Sequence, residues 1–210
     1  MRGASAVVVG GGLAGLSAAL VLVDAGATVT LLEGRPRLGG ATWSFQRNGH
    51  WFDNGQHVFL RCCTEYQAFL RRIGSDGDVR LQERLALPVV APGGRTSWLR
   101  RDPLPAPLHL ARSVLGYRHL PVADRLRFGR AALKLRGLDL DDPALDEETF
   151  ADFLGRHGQR PAAIERLWDL ICTPTVNLHA GEASLTLAAM VFQIGLLTDG
   201  PASDLSLIHI

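Results

Sequence analysis

Val7-Val8-Val9-Gly10-Gly11-Gly12-Leu13-Ala14-Gly15 and, further on, Thr28-Val29-Thr30-Leu31-Leu32-Glu33 are the stretches that decide the fold. Ala6 to Val9 is short, rich in β-branched residues and bounded by glycine, the pattern of a buried parallel strand. Leu13, Leu16, Leu20 and Val23 recur at helical spacing, so a helix is expected from Leu13 to Ala25, with Gly26 as its stop signal. Thr28 to Leu32 reads as a second strand ending at Glu33. Together they form a βαβ unit. Its glycines have separate tasks. Gly10 allows the tight turn out of the strand, Gly12 lets the backbone approach a pyrophosphate, and Gly15 lets the helix lie close to the sheet. The N–H groups at the helix start, those of Leu13 and Ala14 among them, face the phosphates together with the positive end of the helix dipole. Glu33 stands where a carboxylate binds the ribose hydroxyls. The motif therefore predicts a dinucleotide site, without separating FAD from NAD.

Working outward, Thr42 to Phe45 and His50 to Phe52 are expected as strands around the turn Asn48-Gly49. Thr64 to Ile73 is expected as a helix. Arg80 to Leu87 and Thr96 to Leu99 flank Pro92-Gly93-Gly94, which predicts a hairpin. From Pro103 onward the pattern is mostly helical, interrupted at Pro121, Pro143, Pro161 and Pro174. Thr173 to Asn177 reads either as a turn and cap before an apolar helix from Ala183 to Leu197 or as lining for a substrate tunnel. No further βα units follow the first at once, which points to an inserted second domain. The expected class is α/β: a Rossmann-like half with an inserted, mostly helical α+β substrate domain, truncated at its C-terminal side. The expected divisions are residues 1–58 for the first part of the nucleotide domain and 59–204 for the substrate region. Residues 205–210 resemble the translation of a transposon adapter, so they are set apart and the native sequence is expected to stop near Asp204.

Composition narrows the functional classes. Hydrophobic residues make up 47% and charged residues 20%, which argues for a packed core over disorder. A net charge of +1 gives no reason to expect nucleic acid as a partner. Cys62, Cys63 and Cys172 fit neither a disulfide framework nor a zinc pattern, so no metal is expected and a reducing cytoplasm is. Cys172 is expected to be buried and inert. The apolar stretch from Ala6 to Leu32 is interrupted by glycines and Asp24, unlike a signal peptide or membrane span. Leu185 to Leu197 is shorter than the roughly 20 residues a spanning helix needs.

The segment Glu33-Gly34-Arg35-Pro36-Arg37-Leu38-Gly39-Gly40 resembles the flavoprotein superfamily of amine oxidases, carotenoid desaturases and protoporphyrinogen oxidase. The resemblance implies FAD. It places Gly39 and Gly40 in a turn beside the cofactor and aligns Arg35 and Arg37 with basic positions near its phosphates. Many members carry Arg directly after the Gly-Gly pair; this chain has Ala41 there, so any contact made by that Arg is missing or supplied elsewhere. In the superfamily, Asp53-Asn54-Gly55-Gln56-His57 passes beside the flavin ring. Gly55 would allow close approach, and Gln56 and His57 could hydrogen-bond the ring or face substrate. The same residues also read as a polar turn closing a small sheet.

Four stretches together resemble hydroxysqualene dehydroxylase, a flavoprotein family of bacterial hopanoid synthesis. They are Arg35 to Phe45, Asp53 to His57, Phe69-Leu70-Arg71-Arg72-Ile73-Gly74, and Leu170-Ile171-Cys172-Thr173-Pro174-Thr175-Val176-Asn177. The resemblance implies a C30 isoprenoid substrate whose hydroxyl leaves as water while reduced FAD supplies a hydride. The carbinol carbon is flanked by double bonds, so a developing cation is delocalised. Departure of the hydroxyl needs a proton donor. His57 and Asp53 are the nearest ionisable candidates by motif, though each also reads as structural. A carotenoid desaturase is the alternative enzyme. A lipid-binding protein without catalysis, like the prenyl-binding chaperones of small GTPases, is the alternative of another class. Retention of the glycines and Glu33 argues against the last.

An apolar substrate needs a route from a membrane. Between residues 100 and 136 lie nine Lys/Arg, at 100, 101, 112, 118, 125, 127, 130, 134 and 136, interleaved with leucines and opposed by Asp102 and Asp124. This mixture suits peripheral contact with an anionic bilayer, which would put the protein on the inner face of the cytoplasmic membrane. It also suits an ordinary amphipathic helical domain with a solvated basic face.

Overall fold

Ser5–Val9 (β1) and Thr28–Leu32 (β2) pair in parallel, with Val7 opposite Thr30. Leu13–Asp24 (α1) crosses between them. The computed structural model describes residues 3–55, 58–202 and 204–208. Within the β1–α1–β2 unit, alternation puts Ala6 and Val8 on one face of β1, and Val8 lies beneath Gly15 of α1. The other face carries Val7 and Val9, which are 64% and 81% exposed. The expected burial of β1 is therefore corrected. A strand is buried on both faces only when elements cover both; α1 packs on the face of Ala6 and Val8, and among the described residues the face of Val7 and Val9 stays exposed.

Ser44–Arg47 (β3) and His50–Asp53 (β4) form an antiparallel hairpin in which Phe45 faces Phe52. Asn48 and Gly49 both adopt positive φ, the conformation a two-residue hairpin turn demands. Thr64–Ile73 (α2) forms as expected. The chain divides into two compact units, and Glu65–Arg80 belongs to the first with residues 1–59, not to the helical region as the division at 58 had it. Contacts give the reason: Arg72 of α2 bonds both carboxylate oxygens of Asp24, and Tyr66 packs edge-on against Phe59.

The second unit contains the main apolar core. Val79–Leu81 (β5) leads into it, and the hairpin there is Ala86–Val90 (β6) with Thr96–Arg100 (β7). Arg80–Leu87 is thus corrected as the first arm: β5 pairs instead with Ser206–Ile208 (β8). The segment set apart as an adapter tail consequently has backbone partners, as an extended run beside an open strand edge will. Ala111–Leu115 (α3), Val122–Arg136 (α4) and Phe150–Arg156 (α5) follow. Pro161–Ala163 (α6) passes through a π-helical turn, Ile164–Trp168, into Asp169–Val176 (α7), and Leu185–Gly195 (α8) comes last. Trp168, fully buried, packs against Phe128, Phe150 and Phe192 and donates its indole N–H to Gln159. Cys172 is buried, and burial pushes its thiol up to about 11, which keeps it protonated and unreactive.

Thr173–Asn177 is corrected from a turn to the end of α7. Pro174 stands inside the helix, where it has no N–H to give the Leu170 carbonyl, and the Thr175 hydroxyl donates to the neighbouring Ile171 carbonyl. Asn177 ends α7 in the left-handed conformation. Among the described residues no helix is long and apolar enough to cross a membrane.

Candidate functional site

The site is built where β1 ends, α1 begins and β2 delivers Glu33. The Gly10 N–H donates to the Leu32 carbonyl, fixing the strand ends side by side. α1 then starts at Gly12, which has no side chain to cap it, so the N–H groups of its first turn, including those of Leu13 and Ala14, have no side-chain acceptor there. A Cβ on Gly15 would stand 1.9 Å from the Gly10 carbonyl oxygen. Only glycine lets this helix start so near the strand.

Glu33 is drawn into the same turn. Its Oε2 accepts the Gly11 N–H at 2.6 Å and its Oε1 accepts the Arg35 N–H at 2.8 Å. Those two bonds, Gly11 first, hold its carboxyl below the usual carboxylate range. The group is ionised at neutral pH and keeps lone pairs for sugar hydroxyls.

Gly11 is the residue sequence reasoning passed over. Its N–H holds Glu33, and its carbonyl accepts the Gly39 N–H at 2.8 Å. A Cβ at this position would stand 2.6 Å from Leu38 and 3.0 Å from the Glu33 carboxylate. Gly11 therefore ties the phosphate turn to both the acid and the Gly39-Gly40 loop. The fingerprint leaves its middle positions open, so the only signal was the run of three glycines.

In that loop, Gly39 and Gly40 both have positive φ, and a Cβ on Gly40 would lie 3.0 Å from the Gly12 Cα. The two glycine turns thus pack backbone against backbone. Arg37 secures the second one: its Nη1 donates to the Gly40 carbonyl and its guanidinium lies 4.1 Å from the Trp43 ring centre. Arg37 holds loop shape directly, a task additional to the phosphate role the resemblance implied. Arg35 contributes its backbone to Glu33, and its side chain is exposed.

Ala41 joins the site through its backbone, accepting from the Asn54 side chain at 3.2 Å, which ties the hairpin to the loop. Asp53 accepts from the Ser44 hydroxyl across the hairpin, the partner expected of a structural residue. Gly55 is exposed with open space around it. Gln56 and His57 lie outside the described residues.

An uncapped helix start, an ionised acid and two glycine turns in backbone contact form a cradle of the kind dinucleotide-binding proteins use. The family model of flavin-containing amine oxidoreductases matches residues 13–202. The chain belongs to that family, and FAD is its cofactor. The residues fit it: Gly12, Leu13 and Ala14 would meet the pyrophosphate, and Glu33 the ribose of the adenosine half.

Among curated proteins, the chain is 34% identical over 174 residues to a zeta-carotene desaturase of Zea mays, covering 77% of this chain and 30% of that protein. It is 37% identical over 119 residues to a 15-cis-phytoene desaturase of Narcissus pseudonarcissus, covering 54% of this chain and 20% of that one. The chain thus spans about a third or less of the length of these relatives. Among solved structures, an oxidoreductase from Methanosarcina mazei superposes with a TM-score of 0.64 at 16% identity, over 97% of this chain and 45% of that chain. A Rab GDI from Plasmodium falciparum superposes with a TM-score of 0.54 at 12% identity, over 93% of this chain and 50% of that one. Likeness at such identity concerns the fold alone.

Proposed function

We propose that the protein carrying this chain is an FAD-dependent oxidoreductase acting on a long polyisoprenoid. The observation that carries the redox half is the cradle in which Gly11 joins ionised Glu33 to the Gly39-Gly40 loop. An ionised acid held beside an uncapped helix start offers the ribose acceptor and the phosphate donors that an adenosine diphosphate needs. FAD, when bound, supplies two-electron exchange with the substrate. The chain's own part is to hold the adenosine and pyrophosphate in a fixed position, so that the reactive ring is presented without a large ordering cost.

The substrate class rests on two supports. The motif from Leu170 to Asn177 favours hydroxysqualene dehydroxylation, in which reduced FAD delivers a hydride and water leaves. The 34% identity to a zeta-carotene desaturase favours the oxidative counterpart, removal of hydrogen from a C40 chain, at least as well.

One pair of assays separates these readings. The purified protein is incubated anaerobically with reduced FAD and hydroxysqualene, and in parallel with oxidised FAD, a quinone acceptor and zeta-carotene. Squalene in the first supports dehydroxylation; a more unsaturated carotene in the second supports desaturation. Loss of both products from a preparation that binds flavin would defeat the polyisoprenoid reading and leave the cofactor assignment intact. A preparation that binds no flavin would defeat the redox reading.

A further inference from the structure

The second unit holds a cleft of about 360 Å³ between β7 and α3, lined by Arg100, Arg112 and Arg118. Most other arginines of this unit are spent on structure. Arg101 meets Asp204, Arg127 meets Asp124, Arg156 meets Glu148, and Arg125 donates to two carbonyls. The three on the cleft differ. All are exposed, and among the described residues none of their guanidinium groups has a carboxylate or carbonyl partner. Asp102 is the one acid on the wall, so the cleft is cationic on balance.

Their backbones, by contrast, are fixed. Ser113 clamps Arg100 twice, its hydroxyl accepting from the Arg100 N–H at 2.7 Å and donating to the Arg100 carbonyl at 2.8 Å. Buried Ser97 accepts the Arg118 N–H at 3.0 Å. The Arg100 guanidinium stacks 4.2 Å from the Trp98 ring centre, which limits its rotamers. Guanidinium groups on anchored backbones around one concavity match the planar, multi-acceptor geometry of a phosphate. An uncharged polyisoprenoid would have no use for them.

We propose that this cleft binds a phosphate group, carried either by a lipid headgroup or by a soluble phosphate compound. The cleft shares no residue with the flavin cradle. Tests use the purified protein, calorimetric titration with inorganic pyrophosphate, and co-flotation with two kinds of vesicle: phosphatidylcholine alone, and equal parts phosphatidylcholine and phosphatidylglycerol. The informative variant is the Arg112→Ala, Arg118→Ala pair. Its control is Arg130→Ala with Lys134→Ala, which removes the same charge from exposed positions of α4. Thermal unfolding establishes that each folds, and Arg112→Gln with Arg118→Gln replaces the alanine pair if that pair does not.

The cleft pair is expected to lower affinity for the phosphate ligand at least about tenfold. The control pair is expected to change it less than about twofold. Loss on anionic vesicles alone identifies a headgroup, and loss on pyrophosphate alone a soluble ligand. Because α1 offers a diphosphate a second place to bind, pyrophosphate held equally by wild type and cleft pair, with vesicle binding also unchanged, overturns the proposal. Equal losses from both pairs overturn it too, since that is a diffuse field, not a site.

Discussion

At the scale of single residues, Gly15 and Glu33 act on the cofactor in separable ways. Gly15→Ala forces a Cβ into the Gly10 carbonyl, so α1 must move away from β1. We expect this variant to lose flavin binding and to unfold more easily, by about 1–3 kcal/mol in denaturant titration, the usual cost of overpacking. Glu33→Gln keeps the shape of the side chain but removes the charge that both N–H donors reinforce. Flavin fluorescence titration should give an affinity at least about tenfold weaker, with an almost unchanged thermal midpoint. If the two variants behave alike, Glu33 supports the loop only. The sequence made Gly10, Gly12, Gly15 and Glu33 legible because each has a fixed place in a strand–turn–helix geometry. Gly11 was not legible, since its bonds to Glu33 and Gly39 exist only after the chain has folded back on itself. Arg37 was read by its charge, whereas its neighbours are a carbonyl and an indole ring.

At the scale of elements, local signals were reliable where local forces decide. β2 has the expected ends because a β-branched run stops at Glu33, and α2 has the ends expected of it. β5 was lost inside a longer expected strand because its partner, β8, lies far along the chain, and no local pattern reveals such pairing. Pro174 misled in another way: proline is a sound helix breaker on average, but α7 continues through it to Val176 and ends in the left-handed Asn177. Helix ends give the clearest test at this scale. Ser184 caps α8 by accepting the Leu187 N–H at 3.3 Å, and α8 supplies buried Leu185, Ala188, Ala189 and Phe192 to the core. Ser184→Ala should therefore cost about 1 kcal/mol in urea unfolding, whereas Ser184→Asp should restore most of it. An unchanged midpoint for Ser184→Ala would show that packing alone sets the start of α8.

At the scale of the whole molecule, each unit needs something to unite segments remote in sequence. In the second unit that is Asp204, whose side chain is fully buried. It accepts the Leu85 N–H at 2.8 Å, two bonds from Arg101 at 3.0 and 2.9 Å, and lies 3.4 Å from the Arg61 Nε. A buried carboxylate with so many donors cannot be removed quietly. Asp204→Ala leaves Arg101 and the Leu85 N–H without their acceptor and should destabilise this unit by about 3–5 kcal/mol. Chemical denaturation followed by the fluorescence of buried Trp168 measures it, and a loss under about 1 kcal/mol would mean that water replaces the carboxylate. The fold class was readable from sequence because the βαβ unit is local. The role of Asp204 was not, because its partners lie at residues 61, 85 and 101.

The bare face of β1 has a practical side. Val7 and Val9 put two branched apolar side chains in water on a strand whose second edge is unpaired among the described residues, beside a charge balance close to neutral. Such a surface behaves as an attractive patch between particles, and little net repulsion keeps those particles apart. Concentrated solutions of the chain will therefore turn cloudy most readily at the pH of zero net charge, and Val7→Lys or Val9→Lys is the change that keeps them clear.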